Sequence, residues 1–338
     1  MPDPFVSVFI PCYNEQDTIA ALLDALRAQT YPLNRMEVVI ADGMSDDGTR
    51  DVLAAYAADH DDLTLRVVDN PRRIIPAALN CAIRAARGEV LIRMDAHSMP
   101  AEDYVAACVE VLEATGAANV GGRWKIQPSR PTWIGRSIAV AAAHPLGAGG
   151  ARYRISGDAG AVETVPFGAY PRIWLDRVGL YDETLLTNED YELNERIRQA
   201  GGLIWFDPAI ETVYYARSTF GALWKQYARY GFWKVKMLAR YPHSLKWRQA
   251  IPPAFVLSAA ALALTGGFIP AARLLLGLQL GIYFLALGTA GLREAVRYKD
   301  LALVPGFILA IATMHTAWGG AFLVSAVDNL LGGRVGSK

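Results

Sequence analysis

Cysteine is scarce in this chain: Cys12, Cys81 and Cys108 are the only three, and no two of them stand in CxxC spacing. Such an odd, scattered set suits neither a disulfide framework nor a structural zinc site, and the three read as small buried apolar side chains. Excess charge of either sign is also missing, with 33 Lys and Arg against 33 Asp and Glu. A nucleic-acid binder would carry a basic surplus, so nucleic acid is not the expected partner. The GxSxG elbow, the Walker A loop, HExxH and GxGxxG are all absent, which removes the chemistries those motifs support. The first residues, MPDPFVSVFIPCYNE, have no basic leader; they read as a strand entering a turn rather than a signal peptide, which places the front half in the reducing cytoplasm.

The charge balance hides a gradient. Residues 1–120 hold 19 acids and 9 bases, 121–200 hold 9 and 10, and 201–338 hold 5 and 14. From Phe5 to about Ile126, β-branched runs (FVSVFI, MEVVIA, LTLRVV, EVLIRM) alternate with Ala- and Leu-rich stretches near 16–28, 48–58, 74–86 and 101–114. That alternation predicts right-handed βαβ crossovers and a parallel sheet buried on both faces. Ligands then bind beyond the carboxyl ends of the strands, which directs attention to Pro11–Glu15, Asp42–Thr49, Asn70–Arg73 and Asp95–Ser98.

Behind a less regular middle containing a helix near 187–199, residues 213–249 carry eight bases and no acid, interleaved with aromatics. Residues 251–270, 274–292 and 301–327 contain no charged side chain, each long enough to cross about 30 Å of hydrocarbon. The sequence therefore predicts three spans (251–270, 273–292, 301–327) preceded by interfacial helices over 216–249, with a catalytic domain over 1–215. The Lys and Arg bias, with Arg273, Arg334 and Lys338 alone on the far side, predicts a cytosolic catalytic domain and an external C-terminus.

Four constellations can carry chemistry, and each has a plainer structural reading. Asp42, ending the second strand in ADGMSDDGT, can meet a nucleobase or ribose, or simply belong to a turn. Asp95 and His97, at i and i+2 beyond the fourth strand, can join diphosphate oxygens and water around Mn²⁺ or Mg²⁺. Glu189 and Asp190 open a helix whose N-terminus favours ionised carboxylates; an ionised Asp190 suits a general base, though first-turn acids are common for the dipole alone. Gln226, Arg229 and Tyr230 share a helix face in the basic stretch, where Arg can stabilise a departing diphosphate and Tyr can stack on a sugar.

In this order, VFIPCYNE (8–15), ADGMSDDGT (41–49), MDAHS (94–98), NEDYE (188–192) and QYARY (226–230) resemble family 2 inverting glycosyltransferases. The run from VPFGAYPR through NEDYELNERIRQAG is most similar to the ExoA-type succinoglycan-biosynthesis glucosyltransferases within that family. The resemblance implies a GT-A fold, a Rossmann-like mixed α/β sheet flanked by helices. It implies that Pro11, Tyr13 and Glu15, joined by Arg73, line the nucleotide pocket and that Asp42 meets the base. Asp95 and His97 occupy the family's DxD, Asp190 corresponds to the catalytic base with Glu189 beside it, and Gln226, Arg229 and Tyr230 match QxxRW. Two positions depart from the family pattern: Gly43 replaces the second Asp of a DD pair, and His97 replaces the second Asp of DxD. The implied reaction is transfer of a hexose, expected to be glucose from UDP-glucose, to a polyprenyl-diphosphate-linked saccharide at the cytoplasmic membrane. The alternatives are a processive polysaccharide synthase, a polyprenyl-phosphate glycosyltransferase and a non-catalytic membrane-anchored nucleotide-binding protein.

Overall fold

The computed structural model describes residues 3–332. In chain order the first elements are β1 (Val6–Cys12), α1 (Ile19–Arg27), β2 (Met36–Asp42), α2 (Thr49–Asp59), β3 (Thr64–Asp69), α3 (Ile75–Ala85), β4 (Val90–Arg93), β5 (Met99–Pro100), α4 (Tyr104–Thr115) and β6 (Asn119–Pro128). There follow α5 (Trp133–Ala143), α6 (Pro145–Ala148), α7 (Arg152–Ile155), β7 (Gly160–Ala161), β8 (Ala169–Pro171), α8 (Arg172–Val178), α9 (Glu189–Gln199) and β9 (Ile204–Ala216). The chain ends in four long helices, α10 (Phe220–Leu238), α11 (Trp247–Thr265), α12 (Pro270–Tyr298) and α13 (Leu303–Leu330).

The strands form one mixed sheet in the order β3-β2-β1-β4-β8-β6-β9-β5, with β7 added against β9. β1 and β2 are buried along almost their whole length, as their unbroken β-branched runs require of a strand covered on both faces. α3 is one of the covering helices, turning Ala77, Ala78, Leu79, Ala82 and Ile83 inward. β1 is the switch point. β2 and β3 extend the sheet on one side of it and β4 pairs on the other, both β1 pairings being parallel. A crevice therefore opens beyond the carboxyl ends of β1, β2 and β4. Beyond β4 the pairing turns antiparallel through β8, so the sheet formed is the mixed one the resemblance implies and not parallel throughout.

The chain divides into two compact units, one of residues up to 125 with 156–214 and one of 126–155 with 215 onward. Residues 126–155, counted with the catalytic domain in the sequence expectation, fall in the second unit, where α5 packs on α13. α13 is that unit's central helix, with α10, α11 and α12 also against it. Gly319 allows the approach of α11: a Cβ there would lie 2.5 Å from the Pro252 carbonyl oxygen.

The second unit corrects the membrane expectation. Among the described residues two helices, α12 and α13, are long and apolar enough to cross a membrane, not three. The run 251–270 is not one span: α11 begins on Trp247 and Arg248, holds Pro252 and Pro253, and ends at Thr265 before Gly266 and Gly267. Placing the C-terminus outside depended on an odd number of spans and falls with the third; Arg334 and Lys338 lie outside the described residues. The basic belt is also less uniform than its composition suggests. Lys234 is buried, donating to the Ser244 carbonyl at 3.1 Å, and Lys236 pairs with Asp328 at 2.8 Å.

Candidate active site

The turns after β1 and β2 are bonded together at the crevice. Asn14 takes a positive φ of 55°, donates its backbone N–H to Ser45 Oγ at 2.9 Å, and donates from its side-chain amide to Asp46 at 2.7 Å. The Glu15 backbone N–H donates to Thr49 Oγ1 at 2.8 Å. Asp42, fully buried at the end of β2, accepts from Ser45 Oγ at 2.5 Å and from Arg50 Nε at 2.5 Å. Arg50 reaches on to Asp69 at 2.5 Å, so the carboxylates ending β2 and β3 share one guanidinium.

Tyr13 is exposed at the mouth of this region, and the Arg73 guanidinium lies 5.7 Å from its ring centroid while donating to the Met44 carbonyl at 3.2 Å. Pro11 is half-buried in the last turn of β1. Gly43 sits under the Tyr13 ring, where a Cβ would approach the ring at 3.1 Å and the Tyr13 Cβ at 3.2 Å. A larger residue here, such as the Asp of the family's DD pair, would displace Tyr13. Gly43→Ala is accordingly expected to push the Tyr13 ring aside with little change in thermal stability, as a crystal structure and a melting curve of the variant would measure; an unmoved ring would mean that the turn gives way instead.

The second cluster gathers on Arg93, the last residue of β4, whose side chain is 5% exposed. One terminal nitrogen donates to Asp190 Oδ1; the other reaches Asp95 Oδ1 at 3.2 Å and Glu189 Oε1 at 3.3 Å. Glu189 and Asp190 are the first residues of α9, which begins after Asn188 in the left-handed conformation (φ 68°). The Tyr181 hydroxyl also donates to Asp190 Oδ1, at 3.4 Å. Asp190 Oδ2 has no hydrogen-bond partner among the described residues, and about 21% of the side chain stays open. The sequence expectation that the helix terminus lowers the Asp190 pKa is overturned. Burial, with the Glu189 and Asp95 charges, pushes the carboxyl up to about 6 against the opposing pull of Arg93.

His97 turns Nδ1 to Glu15 Oε1 at 3.0 Å, and Thr18 donates to the other Glu15 oxygen at 2.5 Å. Burial raises the Glu15 carboxyl, but these hydrogen bonds outweigh it and hold the group below its ordinary value. Glu15 is thus engaged with His97 and Thr18, whereas the resemblance assigned it to the wall of the nucleotide pocket. An ionised Glu15 can only accept, so Nδ1 donates in this pair, and a neutral ring would offer Nε2 to a metal, the arrangement of a metal-ligating histidine held by a carboxylate. Asp95 and His97 thus fit Mn²⁺ or Mg²⁺ as a carboxylate and an imidazole donor. Among the described residues no group of three or more His, Cys, Asp or Glu side chains is placed to hold a metal, so further ligands would come from diphosphate and water.

Gln226, Arg229 and Tyr230 lie on α10 in the second unit. Gln226 donates to the Tyr230 hydroxyl at 3.0 Å, Arg229 is exposed, and Tyr230 packs 5.7 Å from the Tyr227 ring. The buried Tyr227 itself accepts from Arg154 at 2.9 Å. The sequence reasoning did not single out Arg50 or Arg93. Arg93 had a legible signal, a lone cation between Ile92 and Met94 in a strand expected to be buried. Arg50 had none, since an Arg in the first turn of a helix is ordinary.

Residues 7–179 match the family described as glycosyl transferase family 2. The chain is 33% identical over 324 residues to the succinoglycan biosynthesis protein ExoA of Rhizobium meliloti (strain 1021), covering 95% of this chain and 94% of that protein. It is 28% identical over 269 residues to a dolichyl N-acetyl-α-D-glucosaminyl phosphate 3-β-D-2,3-diacetamido-2,3-dideoxy-β-D-glucuronosyltransferase of Methanococcus voltae, covering 78% of this chain and 82% of that one. Among solved structures, the mannosyltransferase PcManGT of Pyrobaculum calidifontis, in complex with GDP-Man and Mn²⁺, superposes with a TM-score of 0.64 at 25% identity, over 97% of this chain and 87% of that one.

Proposed function

The chain belongs to glycosyl transferase family 2 and works in polysaccharide or glycan biosynthesis, and from that premise we infer that it moves a hexose from a nucleotide sugar to a lipid-linked saccharide by direct displacement. The donor in this reading is UDP-glucose, the acceptor is a hydroxyl of a polyprenyl-diphosphate-linked saccharide, and the product is a β-glycoside of a cell-surface polysaccharide. The observation that carries the reading is Asp190: one carboxylate oxygen is held by Arg93 and Tyr181, the other has no hydrogen-bond partner among the described residues, and Arg93 ties the group to Asp95 beyond β4.

In this mechanism Tyr13 and Arg73 hold the base face of the nucleotide, with Pro11 beneath, while Asp42, closed off beneath Ser45 and Arg50, fixes the turn beside them instead of meeting the base. Asp95 and His97 would hold a divalent ion, which when bound neutralises the diphosphate, and Glu15 orients His97. The acceptor oxygen attacks the anomeric carbon as the bond to the diphosphate breaks. Asp190 Oδ2 takes the acceptor proton, and the pair of electrons leaves on the diphosphate. In-line attack on an α-linked donor inverts the centre. α12 and α13 anchor the enzyme to the cytoplasmic membrane with the first unit facing the cytosol, where a lipid-linked acceptor lies.

Because the base must be ionised and burial raises its pKa, the reading fixes the sign of an acid limb. kcat/KM is expected to fall about tenfold per pH unit below about 6. A flat profile from pH 7 to 5 would remove Asp190 from this role. The reaction itself is tested by a donor-by-acceptor screen on membranes, with UDP-glucose and GDP-mannose among the donors and products weighed by mass spectrometry. One hexose added to a lipid-linked saccharide supports the reading. A ladder of masses would indicate a polymerase, and a glycosylated polyprenyl phosphate a different acceptor; no turnover with any donor would overturn it.

A further inference from the structure

Among the described residues Arg93 is the only cation paired with these three carboxylates, and it is the least exposed member of its cluster. Its bonds are divided by function. One terminal nitrogen serves Asp190 alone; the other is shared by Asp95, on the metal side, and Glu189, on the helix that carries Asp190. The guanidinium is itself fixed: its centre lies 5.9 Å from the Tyr181 ring centroid, and its Nε is enclosed without a partner among the described residues. A planar fork in a closed pocket sets the direction of each bond it makes, which a lysine ammonium does not.

The consequence falls on the two oxygens of Asp190. Oδ1 receives both Arg93 and the Tyr181 hydroxyl, which fixes the carboxylate plane and leaves Oδ2 without a hydrogen-bond partner among the described residues. A base oriented by a third group is the arrangement that activated catalytic pairs use. We propose that Arg93 is the positioning residue of this active site: it holds Asp190 by one oxygen so that the other faces the acceptor hydroxyl, and it keeps Asp190 apart from the carboxylate Asp95 that serves the metal and nucleotide. The proposal rests on the reading of Asp190 as the base. Arg93 touches neither substrate in this arrangement, and its effect on turnover passes through Asp190.

That dependence gives a test which a general structural role would not pass. Arg93→Met and Arg93→Lys are made in the full chain, alone and combined with Asp190→Asn, with folding followed by thermal melting and UDP–Mn²⁺ binding by calorimetry. Misaimed by an ångström, a reacting group loses about 10²-fold, so Arg93→Met is expected to lower kcat by that factor. Arg93→Lys, keeping the charge without the fork, is expected to lose roughly tenfold. UDP–Mn²⁺ affinity and acceptor KM should stay within threefold of wild type. In the Asp190→Asn background either Arg93 change should cost no more than about twofold, because the group it positions is gone.

Equal losses in both backgrounds, a parallel collapse of UDP–Mn²⁺ binding, or wild-type kcat in Arg93→Lys would each overturn the proposal while leaving the base in place. If Arg93→Met does not fold, the lysine variant decides by the same comparison. Full turnover in Asp190→Asn alone would remove the base, and this proposal with it.

Discussion

Asp190→Asn is expected to reduce turnover roughly 10³-fold, within the range that general-base catalysis supplies, while leaving UDP binding unchanged. The asparagine is nearly the same size, and its carbonyl oxygen can still accept from Arg93 and the Tyr181 hydroxyl, the two partners of Oδ1. What it lacks is the ability to take a proton at the second position. The loss should therefore appear in kcat rather than in donor or acceptor KM, the pattern of an interaction made in the transition state alone. The acid limb near pH 6 should vanish with it, leaving a slow rate that is flat in pH. Single-turnover assays in membranes, with UDP affinity measured by calorimetry on the same preparation, separate these quantities. A variant that binds UDP, melts like wild type and turns over at the full rate would end the base assignment.

The parts of this molecule that were legible in its sequence are those where one physical demand acts on neighbouring residues. FVSVFI and MEVVIA read as strands because β1 and β2 are covered on both faces and are apolar along most of their length, with the buried Ser7 and Glu37 bonded to each other at 2.7 Å. Asp42, Asp95 and Asp190 were singled out because strand ends and helix starts are where a switch-point sheet presents side chains to a ligand; Asp95 and Asp190 do meet at Arg93, whereas Asp42 is closed off by Ser45 and Arg50. What escaped depended on partners distant in sequence. Arg93 meets Asp190 and Glu189 from about a hundred residues away, and only the fold brings a cation from β4 to the start of α9. The same holds for Glu15 and His97, 82 residues apart, whose pairing explains why a histidine can stand where the family pattern has an aspartate. The third span failed for the opposite reason: a charge-free run was counted where a helix had to be. Helix α11 takes in Arg248, Gln249 and two prolines at its start and stops at Thr265, so the apolar stretch and the helix do not coincide.

Chelation should have an effect of the same order as loss of the base. Washing the membranes with EDTA is expected to lower turnover about 10³-fold, since a diphosphate leaving group would then depart without charge neutralisation in a site whose own carboxylates repel it. Activity should return with Mn²⁺ and, at higher concentration, with Mg²⁺, because an imidazole donor favours the softer ion. His97 makes this preference adjustable. His97→Asp replaces the nitrogen donor with a hard oxygen, which should raise the Mg²⁺ activity relative to Mn²⁺. It also sets a carboxylate against Glu15 at a distance where the native pair is 3.0 Å, so the single change should lower affinity for both ions. Adding Glu15→Gln to His97→Asp removes that repulsion and should recover Mg²⁺ affinity. Glu15→Gln on the native background should instead raise the half-saturating Mn²⁺ concentration about tenfold, the usual cost of losing the carboxylate behind a ligating histidine. Opposite effects of one substitution in two backgrounds follow from the Glu15–His97 pair and from nothing else in the crevice. If EDTA-washed membranes turn over at the full rate, or if Glu15→Gln leaves the Mn²⁺ requirement unmoved, His97 is not a ligand and its bond to Glu15 serves the turn alone.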